Sequence, residues 1–342
     1  MNNYFVLVNL FILCSNFYLS LGSPKKTCPD KGDISPCLCL YDEKQDTLTM
    51  DCSAVTSEDE LERVFTADFP SKHFEMFFME MNNYVKVLRN NVFNQVTFVK
   101  YWVYYGVLES IEDEALEGND EDYVTDLEFH DNNIQVFNFQ SLDNFGSLRY
   151  IGFNHNSLTT WQPMESPDLK ILELGFNPFG DLPANALQNL PALEWIHLEK
   201  CGLTYLNGGT FSNLNHLVHV DLYGNQLRKI FSNTFNSISP NFTGIYLHDN
   251  LIDYVEPGAF TVDSLKTVSM HDNLMETLDE ATWKPLADND VWLSMEGNPL
   301  LCLCDIAWLV KNPELLDNIS TLTTCRDGRK VHDLNPDDYN GC

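Results

Sequence analysis

Basic side chains are scarce in this 342-residue sequence, which has 20 Lys and Arg against 50 Asp and Glu and a formal net charge of −30. Binding to a nucleic-acid backbone requires a positively charged surface. Nucleic acid is therefore a poor candidate for a partner, as are heparin-like polymers and anionic membranes. The excess of carboxylates has two interpretations. We favour a contribution to solubility, and attraction of a cationic partner or of divalent ions is the alternative.

Signatures of catalysis are also missing. The sequence has no Gly-x-Ser-x-Gly motif, no phosphate-binding loop and no glycine pattern for dinucleotide binding. Its acidic residues are too numerous for one pair to be singled out for acid–base chemistry. The sequence therefore predicts a protein that is not an enzyme and that has no cofactor.

Long hydrophobic runs are limited to the N-terminus. The apolar segment 5–14, followed by small residues such as Ser20 and Gly22, predicts a secretory signal over residues 1–22. Its first residues include no Lys or Arg, so a signal anchor is the alternative. No other stretch is long enough to span a bilayer, and no hydrophobic tail precedes Cys342. We expect a secreted, extracellular protein without membrane insertion.

One short pattern dominates the rest of the chain. In a clear copy, the apolar residues Leu217, Val220 and Leu222 precede Asn225, and the apolar Leu227 follows it. The polar position returns every 21 to 26 residues, at Asn82, Gly106, Asn132, Asn156, Asn177, Cys201, Asn225, Asn250, Asn273 and Asn298. A period of this length indicates a solenoid, and the consensus is that of about ten leucine-rich repeats.

The physical chemistry of this repeat predicts the fold class. Alternating apolar residues favour a short strand with one buried face. The Asn that follows is expected inside, where its amide can bond backbone groups that would otherwise be unpaired. We call these ten positions the ladder; Cys201 is expected to be a packed member of it, and Gly106 has no explanation in the sequence. The prediction is an α/β solenoid over residues 70–298, shaped as a horseshoe, with a parallel concave sheet and a mostly irregular or 3-10 convex side.

Eight cysteines lie in two clusters that flank the repeats. They are Cys28, Cys37, Cys39 and Cys52 on one side and Cys302, Cys304, Cys325 and Cys342 on the other. The ends of a solenoid expose core that must be covered, and disulfides stabilise small subdomains in an oxidising compartment. We expect cysteine-rich caps over residues 23–69 and 299–342. Four cysteines allow three pairings, and zinc binding by each cluster is the less favoured alternative.

Both clusters resemble the cysteine-rich flanks of extracellular leucine-rich repeat proteins. The matching residues are Cys28-Pro29, Cys37-Leu38-Cys39 and Asp51-Cys52, and then Gly297-Asn298-Pro299, Cys302-Leu303-Cys304-Asp305, Trp308, Cys325 and Cys342. The sequence departs from the family at Leu300, where an aromatic residue is common. The resemblance implies four disulfides: Cys28–Cys39, Cys37–Cys52, Cys302–Cys325 and Cys304–Cys342.

A narrower resemblance lies in the segment 50–70. Its residues 50–65, MDCSAVTSEDELERVF, and 67–70, ADFP, are similar to arthropod secreted leucine-rich repeat proteins of the type named after the non-catalytic subunit of oplophorus-luciferin 2-monooxygenase. The resemblance implies a non-enzymatic role. An accessory subunit that stabilises a small secreted enzyme of the luciferase type is one form of that role.

Candidate binding residues in the N-terminal half are aromatic. They are Phe78, Trp102, Tyr104, Tyr105 and Tyr150, at or beside strand positions whose side chains point away from the core. Exposed aromatic residues on a rigid wall suit the binding of a protein partner. The alternative is that the N-terminal cap packs over Trp102 and its neighbours.

Candidate binding residues in the other half are mainly histidines. They are His197, His219, Tyr246, His248 and His271. His248 and His271 occupy equivalent positions of consecutive repeats and are expected to be neighbours, since adjacent strands lie about 4.8 Å apart. Together with Asp221 such histidines could bind a metal ion or respond to pH. Their spacing is not that of a metal-binding motif, so we expect an ordinary exposed strand surface and no metal.

Two sequons, Asn241-Phe-Thr243 and Asn318-Ile-Ser320, are candidate glycosylation sites in a secreted chain. The sequence as a whole predicts a secreted, non-enzymatic scaffold that binds a protein partner along its concave face. An accessory enzyme subunit is one alternative. Extracellular recognition in defence, adhesion or matrix organisation is the other. The ligand's identity and the oligomeric state stay open.

Overall fold

The computed structural model describes residues 26–116 and 123–342, and the proposed signal at residues 1–22 lies outside them. Its central element is a 12-stranded sheet. In order across the sheet the strands are β1 (Leu38–Asp42), β2 (Thr47–Asp51), β3 (His73–Glu80), β5 (Thr97–Tyr104), β7 (Asp126–Glu128), β8 (Tyr150–Gly152), β9 (Ile171–Glu173), β10 (Trp195–His197), β11 (His219–Asp221), β14 (Gly244–Tyr246), β17 (Thr267–Ser269) and β18 (Trp292–Ser294). The first pair is antiparallel and all later pairs are parallel. Strands β3 to β18 of this sheet supply one strand per repeat, so the predicted solenoid of about ten turns is confirmed.

The return path of each repeat is mostly irregular, as predicted. It includes a 3-10 helix, Phe139–Asn144, and one longer helix, α3 (Glu280–Ala287). It also includes short parallel strand pairs that the sequence analysis did not anticipate: β4 (Val87–Leu88) with β6 (Ser110–Ile111), β12 (Lys229–Ile230) with β15 (Tyr254–Val255), and β13 (Phe235–Asn236) with β16 (Phe260–Thr261). Phe235 stacks on Phe211 and Phe260, with centroids 5.3 and 5.5 Å away, so aromatic packing aligns these coils.

The ladder is buried and its amides are bonded, as predicted. The Asn225 Nδ2 donates to the carbonyls of Leu198 and Leu222 at 2.9 and 2.8 Å, and its Oδ1 accepts from the amides of Cys201 and Leu203 at 2.9 and 3.0 Å. Cys201 is fully buried, with its Sγ 3.4 Å from the Leu174 carbonyl. Burial raises the pKa of its thiol to about 12, so this cysteine is an unreactive member of the ladder.

Gly106 now has a physical explanation. A Cβ at this position would lie 2.7 Å from Oδ1 of Asn132 and 3.1 Å from the carbonyl oxygen of Asn82. The Asn132 amide is fixed, because it donates to the Val103 carbonyl at 2.9 Å and accepts from the Leu108 amide at 3.2 Å. A ladder residue with a side chain at position 106 would therefore collide with the next one.

The residue before each ladder position has a positive φ. These ten residues are Met81, Tyr105, Asp131, His155, Phe176, Lys200, Gly224, Asp249, Asp272 and Gly297. Gly and Asp tolerate this left-handed conformation better than other residues. The recurrent His-Asp-Asn triplet at 130–132, 248–250 and 271–273 therefore has a structural cause in its middle residue, which turns the chain into the ladder.

Both ends of the solenoid are covered. The N-terminal end has α1 (Lys31–Ile34), the β1–β2 hairpin and α2 (Glu58–Val64), which begins at an Ser57 hydroxyl that accepts from the Glu60 amide. The C-terminal end has α4 (Ala307–Val310), α5 (Pro313–Leu316) and 3-10 helices at Cys304–Ile306, Val331–Asp333 and Pro336–Tyr339. Disulfides join Cys28 to Cys39, Cys37 to Cys52, Cys302 to Cys325 and Cys304 to Cys342. These are the pairs that the family resemblance implies.

Helices are short throughout the described part of the chain. None of those in residues 26–116 and 123–342 combines the length and the apolar character that a membrane crossing requires.

Candidate functional site

The concave face presents side chains in columns, because the strands are in register. The first column is Met76, Lys100, Asp126, Tyr150, Ile171, Trp195, His219, Gly244, Thr267 and Trp292. The second column is Phe78, Trp102, Glu128, Gly152, Glu173, His197, Asp221, Tyr246, Ser269 and Ser294. All ten proposed partner-binding residues lie in these columns or within three residues of them in the chain.

Two of the N-terminal candidates, Trp102 and Tyr104, bond the same buried carboxylate, that of Glu128. The Trp102 indole donates to Glu128 Oε1 at 2.6 Å, and the Tyr104 hydroxyl donates to the other carboxylate oxygen. Tyr104 also packs against Trp102 and stacks on His130, with centroids 5.9 and 5.3 Å away. Burial raises the pKa of Glu128, although the two donors act in the opposite direction. We call Trp102, Tyr104, Glu128 and His130 the Trp102 cluster.

The N-terminal cap does not enclose this cluster. Its aromatic core, centred on Phe65, packs against Phe93 and Phe98 inside the solenoid, at centroid distances of 5.1 and 6.0 Å. Trp102, on the concave face, is only half-buried. Phe78 and Tyr150 are half-buried as well, and Tyr105 is 57% exposed. The surface is therefore accessible to a partner.

His130 is held as a neutral imidazole. Its Nδ1 accepts from the Asn154 backbone amide at 3.2 Å, so the proton of the neutral ring lies on Nε2. Nε2 is 3.9 Å from a carboxylate oxygen of Glu173. Burial lowers the pKa of His130. The ring occupies the space above Gly152, where any Cβ would overlap it.

The histidines of the other half lie in a band of aromatic rings. His219 contacts Trp195 and Tyr246, with centroids 4.3 and 5.8 Å away. His248 stacks on His271 at 4.4 Å, which confirms that the two are neighbours. Its other face stacks on Tyr223 at 4.7 Å, a residue that the sequence analysis did not select. Burial lowers the pKa values of His219 and His248, which favours their neutral forms.

His197 lies at the edge of that band, with its ring parallel to Trp195 at a centroid distance of 6.4 Å, and it also lies beside two carboxylates. One potential ligand atom from each of His197, Glu199 and Asp221 lies within 4.8 Å of the others. Glu199 is 7% exposed, and its Oε2 is buried without a hydrogen-bond partner among the described residues. Burial raises the pKa of Glu199 to about 7 and also raises the pKa of Asp221.

Sequence reasoning missed Glu199, but a signal for it exists. Its carboxylate fills the space that a side chain at Gly175 would occupy. Gly152 and Gly175 are outward positions of consecutive repeats. Each leaves room for a large polar side chain of a neighbouring repeat, that of His130 at Gly152 and that of Glu199 at Gly175. A glycine at an outward position on the concave face therefore indicates that a side chain from an adjacent repeat lies over it.

Carboxylates exceed cations on this face. Lys100 lies 3.7 Å from Asp126. The Lys200 ammonium lies over the rings of Phe176 and Tyr223, 5.0 and 5.8 Å from their centroids, in a cation–π arrangement. The face consequently presents negative charge between aromatic rings.

The two sequons differ in their surroundings. Asn241 is exposed. Asn318 is half-buried, and its Nδ2, the atom that a glycan would modify, donates to the Ala287 carbonyl at 2.8 Å. The folded structure therefore leaves the first sequon more accessible than the second.

Comparisons with known proteins agree with this architecture. The leucine-rich repeat family model matches residues 167–227. The chain is 30% identical to the Oplophorus-luciferin 2-monooxygenase non-catalytic subunit of Oplophorus gracilirostris, over 97% of this chain and 94% of that protein. It is 29% identical to mouse Toll-like receptor 9 over 48% of this chain and 17% of the receptor. It is 31% identical to chicken lumican over 48% of this chain and 56% of lumican.

Solved structures share the fold at lower identity. A chain in the octameric complex of Latrophilin 3, Unc5D and FLRT2 has a TM-score of 0.66 and 19% identity, covering 87% of this chain and 97% of its own length. The Toll-like receptor 13 complex with a single-stranded RNA has a TM-score of 0.64 and 19% identity, covering 81% of this chain and 41% of the receptor. The fold shown by these structures and the full-length identity to the Oplophorus protein lead to one conclusion: this chain belongs to the leucine-rich repeat family that includes the non-catalytic subunit of Oplophorus-luciferin 2-monooxygenase.

Proposed function

We propose that this chain is a secreted, non-enzymatic scaffold that binds a protein partner along its concave face, with repeats over residues 70–298 between caps at 23–69 and 299–342. The Trp102 cluster carries the proposal. Trp102 and Tyr104 already donate to Glu128, and the His130 Nδ1 accepts from the Asn154 amide, so the aromatic surfaces can be covered without leaving these polar groups unpaired. Little side-chain entropy is lost when such fixed rings bind.

A basic partner suits the charge of the face. Glu128, Glu173 and Asp221 lie in the second column, and Glu199 lies beside it. Lys100 is already paired with Asp126. Complementary charge would accelerate association and would reject acidic proteins. The expected signature is an association rate that falls as salt concentration rises.

An accessory subunit of an enzyme is the more specific form of this proposal. It is favoured by the 30% identity, over nearly the whole chain, to a protein named as a non-catalytic subunit. In this form the chain would stabilise a small secreted enzyme and leave catalysis to it. Extracellular recognition of another kind remains the alternative, since part of the chain is also similar to lumican and to a Toll-like receptor.

Affinity capture from the native secretion tests the proposal. The full chain would be immobilised beside two variants, Trp102→Ala and Ile238→Ser; Ile238 is 79% exposed on the return path and serves as the matched control. We expect one protein in stoichiometric amount, retained by the wild type and by Ile238→Ser but lost with Trp102→Ala. An alanine at a central aromatic contact typically costs about 2 kcal/mol.

The other outcomes are equally informative. An enzyme as the captured protein would support the accessory subunit, and a captured glycan or microbial ligand would support recognition instead. Equal capture by the wild type and a folded Trp102→Ala variant would remove the Trp102 cluster from the binding surface. Turnover by the purified chain alone would refute the non-enzymatic role.

A further inference from the structure

We propose that His197, Glu199 and Asp221 form a binding site on the concave face for one divalent transition-metal ion of the Zn²⁺ class. The proposal replaces our expectation from the sequence that this surface holds no metal. It goes beyond the protein-binding function and does not depend on it.

The three residues converge although they come from two repeats. His197 and Asp221 are directly opposite in the parallel register of β10 and β11, and Glu199 projects on the same face two residues after His197. One ligand atom of each lies within 4.8 Å of the others. Ligands bound to one ion at about 2.0–2.2 Å lie up to about twice that distance apart, so small side-chain rotations would complete the shell.

Glu199 provides an independent indication of a ligand. A carboxylate that is 93% shielded from solvent is costly unless its oxygens are bonded. Yet its Oε2 has no hydrogen-bond partner among the described residues, and no cationic side chain in that part of the chain forms an ion pair with it. The available cation nearby, Lys200, lies over aromatic rings instead. A bound cation would supply the missing partner.

Gly175 shows how this carboxylate is accommodated. Any side chain at this position would overlap the Glu199 carboxylate, and the absence of one leaves room for that carboxylate on the β9 side of Glu199, opposite to the side of Asp221 on β11. Asp221 is fixed in turn by the Tyr223 amide, which donates to its Oδ1 at 3.2 Å. Its other oxygen is left for a metal ion.

The donor set selects the class of ion. Ca²⁺ and Mg²⁺ prefer shells made of oxygen alone, whereas one imidazole with two carboxylates suits a transition metal such as Zn²⁺. Cys201 is not part of the set, because its buried Sγ is directed at the carbonyls of Leu174 and Glu199. Three protein ligands would leave at least one coordination position for water or for a group of a partner.

Titration calorimetry on the chelator-treated, full-length chain tests the site directly, with Zn²⁺ as the probe and Mg²⁺ as the comparison. We expect one equivalent of Zn²⁺ to bind and no comparable binding of Mg²⁺. Removal of a residue that only orients a ligand weakens metal affinity by about 10–100-fold. Loss of a ligand itself, in His197→Ala or Glu199→Gln, is expected to weaken affinity by about 100-fold or more.

His271→Ala is the matched control, since His271 lies on the same face and pairs with Asp272 at 2.8 Å. Its Zn²⁺ affinity is expected to equal that of the wild type. Glu199→Gln guards against misfolding, because Gln has nearly the same shape and removes a buried charge. Zn²⁺ is expected to raise the melting temperature of the wild type and of His271→Ala but not that of Glu199→Gln.

Undiminished Zn²⁺ affinity in Glu199→Gln, or loss of the single equivalent in His271→Ala instead, would overturn the proposal. So would the absence of stoichiometric binding to the wild type. Partner capture repeated in the presence of the chelator separates this proposal from the protein-binding function. If the partner is still captured without metal, the protein-binding function stands independently of the result of the Zn²⁺ titration.

Discussion

The carboxylate of Glu199 lies in the space that a side chain at Gly175 would fill. A similar conflict exists between Gly106 and the Asn132 amide, 2.7 Å from a Cβ at position 106. The two side chains that the added Cβ atoms would meet, Glu199 and Asn132, differ in how far they can move. Glu199 has a flexible side chain that can swing toward solvent, whereas the Asn132 amide is bonded to the backbone of Val103 and Leu108.

This difference predicts opposite outcomes for two glycine substitutions. Gly175→Ala is expected to change the free energy of unfolding by less than about 1 kcal/mol, because the displaced carboxylate reaches water and the unfolded chain loses entropy. Gly106→Ala is expected to cost about 1–3 kcal/mol, because the overpacked amide cannot move without breaking its bonds. Urea denaturation of both variants measures this. Similar losses in the two variants would show that Glu199 is as rigid as Asn132.

The ladder supports a second prediction. Asn225→Leu would leave two buried amides, of Cys201 and Leu203, and the buried carbonyl of Leu198 without their present partner. The Leu222 carbonyl would keep one bond, because it also accepts from the Asn250 Nδ2 at 3.0 Å. Each unsatisfied group costs about 1–3 kcal/mol, so the free energy of unfolding is expected to fall by several kcal/mol.

The control for that prediction is His219→Ala. Its half-buried ring contacts Trp195 at a centroid distance of 4.3 Å, and loss of such an aromatic pair costs about 1 kcal/mol. Thermal melts of the two variants give the comparison. Equally small shifts would contradict the inward placement of Asn225.

The strands and the ladder could be predicted from the sequence, whereas the short strand pairs on the convex side could not. The period that places Asn225 and Asn250 also fixes the strands, since strand and ladder depend on local alternation of apolar and polar residues. Register then brings His248 next to His271. The short convex strands around Phe235 and Phe260 were missed because their pairing depends on how successive coils stack.

The candidate site was predictable only in part. Its surface residues follow from the side of the strand on which they lie. The burial of Glu199 depends on the missing side chain at Gly175, and the placement of Trp102 depends on its bond to Glu128. Both relationships join different strands and cannot be read from one repeat alone.

The two sequons are expected to differ in use. We propose that Asn241 carries a glycan and that Asn318 carries one less often, because its Nδ2 bonds the Ala287 carbonyl in the folded chain. Mass spectrometry of glycopeptides from the secreted protein measures the occupancy of each. Thr243→Ala and Ser320→Ala remove the sequons one at a time as controls. Equal occupancy at both sites would show that modification precedes formation of the Asn318 bond.

Glu128 is expected to make folding stability depend on pH. Burial raises its pKa in the folded chain above the ordinary value of 4.5, so the native state holds this proton more tightly than the unfolded state does. Stability therefore falls as pH rises from the unfolded pKa through the raised pKa of the native state. Glu128→Gln cannot titrate, and this part of the pH dependence is expected to vanish in it.

Two measurements check this expectation. Urea denaturation across a pH series gives the difference in free energy of unfolding between wild type and Glu128→Gln, which is expected to shift against the wild type as pH rises through that window. The Trp102 indole donates to Glu128 at 2.6 Å, so its ¹H–¹⁵N resonance, assigned with Trp102→Phe, is expected to titrate with a midpoint above 4.5. Trp292, at the opposite edge of the sheet, is the internal control. Two results would contradict this expectation: a Trp102 resonance that follows the same titration curve as Trp292, or a midpoint below the ordinary glutamate value. Either would mean that the two hydrogen bonds outweigh burial and stabilise Glu128 as an anion.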